Sequence, residues 1–138
     1  MRIMAFDYGT KRIGIAVTDP LQIIATALTT IHPNESLTFI KKYIQTEAVE
    51  KFIVGSPLQM DGSPSESAPH VNGFVRSLKK NFPDIPVVTI DERFTSKMAS
   101  AVIAQSGLKK GKRQQKSLVD QISAVIILQS YMESSYLE

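Results

Sequence analysis

The sequence predicts an α/β fold: a mixed five-stranded sheet, three antiparallel strands then two parallel ones, with helices on both faces. Three observations carry this. Residues 3–19 read as strand, glycine turn and strand, with a third strand close behind at 23–30. Residues 52–55 and 87–90 are short, continuously apolar runs of the kind buried on both faces of a sheet. Each of those two runs follows a stretch with helical spacing. Strands joined by short turns pair antiparallel, whereas strands separated by helices return parallel to the first. The first strand should therefore be central, with 52–55 beside it and 87–90 beyond.

Taken in order, the first strand, Ile3-Met4-Ala5-Phe6, ends in a carboxylate, Asp7. Side chains alternate along a strand, so Asp7 shares a face with Ile3 and Ala5 and points at a covered surface. An ionised carboxylate there needs a compensating charge or several donors. The turn Tyr8-Gly9-Thr10-Lys11-Arg12 leads to a second strand in which Ile13, Ile15 and Val17 alternate with Gly14, Ala16 and Thr18. Gly14 and Ala16 are the kind of small residues that let a helix pack closely.

Asp19-Pro20 marks a turn before the third strand. Pro33 then breaks the chain, with Asn34 placed to cap a helix carrying Leu37, Ile40, Ile44 and Ala48. After 52–55 comes a polar loop, 56–62. Ser63-Pro64-Ser65-Glu66 has capping-box spacing, and Val71, Phe74, Val75, Leu78 and Phe82 form the apolar stripe of the following helix. The strand at 87–90 also ends in acid, Asp91-Glu92-Arg93. Thr95 can cap a short helix stopping near Gly107. The tract 109–116 has no apolar period and reads as a mobile loop, and 118–132 as a largely buried final helix.

With 138 residues the chain has room for one domain, 1–138, around one sizeable core. It has no cysteine, which excludes disulfides, thiolate zinc sites and a cysteine nucleophile. There is no basic-then-apolar leader and no apolar run near the roughly 18 residues of a membrane span, so a cytoplasmic protein away from membranes is expected. The net charge is +3, yet Lys109, Lys110, Lys112, Arg113 and Lys116 alone supply five cations, leaving the remainder net negative. One local basic feature favours a polyanion held at one place.

Asp7 and Glu92 end strands whose carboxyl ends lie on the edge where ligands of such sheets gather. Alternation puts Glu92 with Val88 and Ile90, and Asp91 on the other face with Thr89. Asp120, early in the last helix, is the third acid. Clustered carboxylates repel one another, and a hard divalent cation, Mg²⁺ or Mn²⁺, relieves that repulsion and can activate water for phosphodiester cleavage. Arg12 and Arg93 each closely follow a strand-end acid and suit phosphate oxygens. With Lys11, Thr95 and the cations of 109–116 they are the candidate substrate-binding residues. Each acid also has a plainer reading. Asp7 could form an Asx turn, Asp91-Glu92-Arg93 a surface ion-pair corner, and Ser117 to Asp120 a capping box.

The run from Phe6 to Val17, Phe-Asp-Tyr-Gly-Thr-Lys-Arg-Ile-Gly-Ile-Ala-Val, closely resembles the first motif of the YqgF (RuvX) family. The resemblance continues through Val54-Gly55-Ser56-Pro57-Leu58, Met60-Asp61-Gly62, 91–96, and Asp120 with Ala124 and Leu128-Gln129, spanning essentially the whole chain. Members are described as Holliday-junction resolvases and, in bacteria, as nucleases maturing the 5′ end of pre-16S ribosomal RNA. The resemblance implies an RNase H-like fold, with Asp7, Glu92 and Asp120 at the family's acidic metal-binding positions. It also implies a nucleic-acid partner, either structured RNA or branched DNA, and a homodimer would suit a two-fold junction. Ser56 and Phe94 depart from a commoner leucine. Ser123 stands where the wider resolvases often carry a fourth carboxylate, which puts a tightly held second metal in doubt. Two rivals remain. Asp-x-Gly-Thr also opens the phosphate hairpin of actin-like ATPases and sugar kinases, which need two such domains; and a nucleic-acid-binding assembly factor could keep these acids without cutting.

Overall fold

In the computed structural model, which describes residues 1–56, 68–91 and 112–137, every strand is placed relative to β1 (Arg2–Tyr8). β2 (Ile13–Thr18) pairs antiparallel with β1, with Asp7 opposite Gly14 and Ala5 opposite Ala16. β3 (Ala25–Ile31) pairs antiparallel with β2. β4 (Val49–Ser56) runs parallel to β1, and β5 (Val87–Asp91) parallel to β4. The strand order is β3-β2-β1-β4-β5, the mixed sheet expected from the sequence.

Alternation along β1 divides the interior in two. Met4 and Phe6 join Ile13, Ile15, Val17, Phe52 and Val54 in a core closed by α1 (Ser36–Thr46) and α2 (Ala68–Asn81). Phe6 is its aromatic hub, with ring centroids 5.7 Å from Phe52 and 5.3 Å from Phe74. Ile3, Ala5, Ala16 and Ile53 form the opposite core with Ala124, Ile127 and Leu128 of α3 (Lys112–Leu137). The residues of β1 and β2 under α3 are mostly small, and Gly14 is the limiting case. A Cβ added there would fall on the backbone carbonyl of Asp120, well inside van der Waals contact. The close-packing reading of Gly14 therefore holds.

Several boundaries differ from the sequence reading. β3 starts at Ala25, two residues late, because the amides of Ile23 and Ile24 each donate to the Asp19 carboxylate at 2.7 Å. Gln22 in the same turn has φ 58°, a left-handed residue that brings the chain round. Asn34 is not a cap. His32 Nδ1 accepts from the Asn34 amide at 3.1 Å and caps a 3-10 turn, Pro33–Glu35, that runs into α1. α1 ends at Thr46, and the Ala48 carbonyl instead accepts from the Arg2 amide at 2.9 Å, which starts β4 early.

β5 is an edge strand, so it is half-buried, with Thr89 exposed, and is not the fully covered strand expected. α3 begins at Lys112, six residues before the expected start, so 112–116 is helix and not loop. Lys, Arg and Gln are good helix formers, and no glycine or proline interrupts the chain from Lys112 to Leu137. Only one face of α3 is deeply buried; Gln129 and Ser130 are exposed. The expected loop beyond Ser56, the capping box at 63–66 and the helix at 95–107 lie outside the described residues. Among those described, no helix is long and apolar enough to cross a membrane.

Gly14→Ala should lower stability by about 3 kcal/mol, the upper range for overpacking, because the obstacle is backbone and cannot rotate away. A chemical-denaturation midpoint checks this. The Asp19 carboxyl is held below the ordinary carboxylate range, first by the Ile24 amide, although burial opposes this. A depressed folded-state value means its contribution is present at neutral pH and is lost as pH falls from about 4 downward. Protection of the Ile23 and Ile24 amides, relative to their intrinsic exchange at each pH, should therefore fall in that window, and Asp19→Ala should show the lost protection already at pH 7.

Candidate active site

Asp7 is the penultimate residue of β1, and its register partner is Gly14. Paired residues in an antiparallel ladder project to the same face. Asp7 therefore shares the α3 side with Ile3 and Ala5, as its strand phase predicts. Asp120 reaches the same patch from above, since its backbone carbonyl is the atom seated against Gly14. Residues 113 apart in sequence are thus brought to one register position of the sheet. Both are half-buried, so neither carboxylate is fully hydrated.

The β1–β2 turn contributes the third member. Gly9 N–H donates to the Arg12 carbonyl at 2.8 Å, and a Cβ on Gly9 would lie 2.8 Å from that oxygen, so the tight turn requires glycine. The turn returns Arg12 toward α3, where its Nε donates to Asp120 Oδ2 at 2.6 Å. Arg12 is the more exposed partner, 40% against 19% for Asp120. Lys11 beside it is exposed. This pair was not legible in the sequence, because nothing in the spacing of residues 12 and 120 signals contact.

The start of α3 at Lys112 also changes the reading of Asp120. It stands two turns inside the helix, not in the first turn, so the Ser117 capping box does not account for it. One turn further, Ser123 is completely buried, and its Oγ has no hydrogen-bond partner among the described residues. Ser123 and Asp120 are spaced i, i+3 and lie on adjoining parts of one helix face.

The remaining candidates are placed only in part. Glu92, Arg93, Thr95, Lys109 and Lys110 lie outside the described residues. Val88 and Ile90 pack on the α3 side of the sheet. β4 lies between β1 and β5, so the ends of those two strands are roughly 10 Å apart. Lys112, Arg113 and Lys116 occupy the first turns of α3 and lead to Asp120 along the helix. Among the described residues, no three carboxylate, histidine or cysteine side chains form a metal-holding group, and two of the acids proposed here, Asp7 and Asp120, are described.

The donor chemistry fits a hard cation. Asp7 is the register partner of Gly14, and the Asp120 backbone lies against that glycine; carboxylate oxygens are the kind of ligand that suits Mg²⁺ or Mn²⁺. The orphaned Ser123 hydroxyl offers a further oxygen on the same helix face.

A family model described as "RuvX: Holliday junction resolvase" matches residues 1–134. A protein of Bacteroides fragilis named "Putative pre-16S rRNA nuclease" is 54% identical over 136 residues, 99% of each chain. A protein of the same name from Phocaeicola vulgatus is 56% identical over 133 residues, 96% of each chain. Among solved structures, the Fowlpox virus resolvase, in complex with Holliday junction DNA, aligns with a TM-score of 0.62 at 17% identity, covering 97% of this chain and 98% of that one. Thermus thermophilus RuvC, also with a Holliday junction substrate, aligns with a TM-score of 0.53 at 15% identity, covering 96% of each chain. At those identities the likeness is one of fold, and it agrees with the RNase H-like architecture. The sequence match over nearly the whole length establishes more: the chain belongs to the RuvX family.

Proposed function

We propose that this chain is a metal-dependent nuclease that hydrolyses phosphodiester bonds during 5′-end maturation of pre-16S ribosomal RNA. The observation that carries it is the seating of the Asp120 backbone on Gly14, the register partner of Asp7, with Arg12 paired to the Asp120 carboxylate. The names of the relatives that share half or more of its residues support RNA as substrate. The family model's description keeps a second reading open, a resolvase cutting four-way DNA junctions. Both substrates present the same phosphodiester, and phosphate contacts carry no sequence information.

In this reading Asp7 and Asp120 are catalytic and hold the cation, with Glu92 completing the set from the end of β5. A glutamate is the better acid there, because it has to reach past the end of β4. A Mg²⁺ or Mn²⁺ ion held there would supply Lewis acidity at the phosphate and would activate water for attack. The chain's own residues do the rest. Asp120 cannot retreat, because its backbone is seated on Gly14, whereas Arg12 hangs from a turn and is nearly half exposed. Arg12 is therefore the partner free to swing toward a substrate phosphate. Lys11, Arg93 and Thr95 are assigned to substrate binding, with the cations of 109–116 for the flanking backbone, three of which belong to the start of α3. The unit 1–138 acts as one domain in the cytoplasm, and a two-fold substrate would suit a homodimer.

The deciding experiment is cleavage of a panel comprising a four-way DNA junction, duplex DNA, single-stranded RNA and precursor rRNA, with Mg²⁺ or Mn²⁺. Cleavage of precursor rRNA alone is expected; cutting of the junction alone favours the second reading, and no metal-dependent cut of any substrate overturns both. Asp7→Asn and Asp120→Asn should each lower the rate by about 10²-fold or more while leaving nucleic-acid binding near wild type.

Arg12→Ala should weaken binding and reduce the log–log salt slope by roughly 0.7 to 0.9, the value of one phosphate contact. If Arg12 serves only Asp120, stability falls while the slope stays. Replacing Lys109, Lys110, Lys112, Arg113 and Lys116 by Gln should reduce the slope by several such increments. A salt titration of each variant separates these outcomes.

A further inference from the structure

On the face of the sheet away from α3, the N-terminal ends of α1 and α2 leave a cavity of about 490 Å³ beside the C-terminal end of β1. Tyr8 forms one wall, and its ring stacks on Phe74 with centroids 4.8 Å apart and planes 30° from parallel. Phe74 is itself a core residue, 7% exposed, so the plane of Tyr8 is fixed from beneath. Asn34, His70 and Ser77 bring hydrogen-bonding groups to the lining.

Gly73, inside α2, completes the wall. A glycine within a helix is less stable than alanine, because the unfolded chain loses more freedom in ordering it. Such a residue usually has a packing reason, as Gly14 does. Gly73 has none among the described residues, for a Cβ there would meet nothing nearer than Arg76 Nη2 at 3.9 Å. Among the described residues the bare backbone borders open space at the cavity, where a ligand can approach it closely.

We infer that this cavity receives one unpaired nucleobase of the substrate strand, next to the phosphate attacked on the Asp7 side. This rests on the nuclease reading and deepens it. Asp7 and Tyr8 are consecutive, so their side chains leave opposite faces of β1 at its C-terminal end. A strand crossing that end can present its phosphate to Asp7 and turn the adjoining base into the cavity. There a rigid aromatic wall gives stacking and the polar lining can meet a base edge, as in single-strand recognition. A base paired in a duplex would first have to leave its stack and its partner, so a nucleotide that is already unpaired is favoured there.

The test is fluorescence anisotropy of a short single-stranded RNA, and of the same RNA with abasic nucleotides, on the full chain in low salt without divalent cation. Gly73→Ala is the informative variant, with its thermal unfolding midpoint measured alongside. It should raise the midpoint and weaken binding of the intact RNA about tenfold, the loss of one stacked base. The abasic RNA should bind wild type about as weakly, and should bind the variant no worse. Three results would each overturn the cavity assignment alone: unchanged affinity of Gly73→Ala for the intact RNA, a lowered midpoint, or equal binding of intact and abasic RNA by wild type. If wild type binds neither RNA, the ribosomal RNA nuclease reading falls and the cavity assignment that rests on it falls too.

Discussion

The contact on which the rest of the structure depends is the seating of the α3 backbone on Gly14. A helix crossing a sheet normally stands off by the depth of its side chains, and here that layer is missing at one point. The neighbours follow suit: Ala5, Ala16 and Ala124 continue the small-residue contact beneath the helix. Lowering α3 onto β2 turns a helix residue, Asp120, into a neighbour of a strand residue, Asp7. Any side chain at position 14 would lift the helix off β2. In the proposed function, packing and chemistry then depend on the same missing Cβ.

The β1–β2 hairpin adds directionality. Its tight turn, closed by the Gly9 amide on the Arg12 carbonyl, brings a cation back over the helix that the following strand supports. The two faces of β1 then carry different tasks. One ends in Asp7 under α3, and the other ends in Tyr8 stacked on a core phenylalanine. Because successive residues of a strand alternate, a single strand end can serve both a charged site and an aromatic cavity without either displacing the other.

Much of this was legible in the sequence because it depends on period and punctuation. The alternation in 3–18 located β1 and β2 and gave the phase of Asp7, and the apolar runs located β4 and β5 and their parallel sense. Polar ends were less legible. The first turns of α3, Lys-Arg-Gln-Gln-Lys, carry helix-forming residues but no apolar stripe, so periodicity could not distinguish them from a loop. β3 began late because Asp19 takes the amides of two strand-like isoleucines, a competition that side-chain type alone does not reveal. The Arg12–Asp120 pair could not be read at all, since it depends on the height of α3 above the sheet. Gly73 stood inside a helical stripe and gave no signal until the space around it could be seen.

The exposure of the Arg12–Asp120 pair bears on how such a site can be both stable and exchangeable. A fully buried pair would hold Arg12 firmly, because breaking it would strand a charge out of water at a cost of about 3 to 5 kcal/mol. A fully exposed pair would be worth little and would hold neither side chain in place. This pair lies between those limits, and unequally, with the carboxylate the better covered partner. In the proposed function, a cation or phosphate arriving from solvent would meet the guanidinium first and the better covered carboxylate second. Exchange then moves one flexible arginine side chain and leaves the backbone of α3 where Gly14 holds it. On that proposal the carboxylate, whose backbone is seated on Gly14, keeps its place, and the more exposed guanidinium is the side chain that moves.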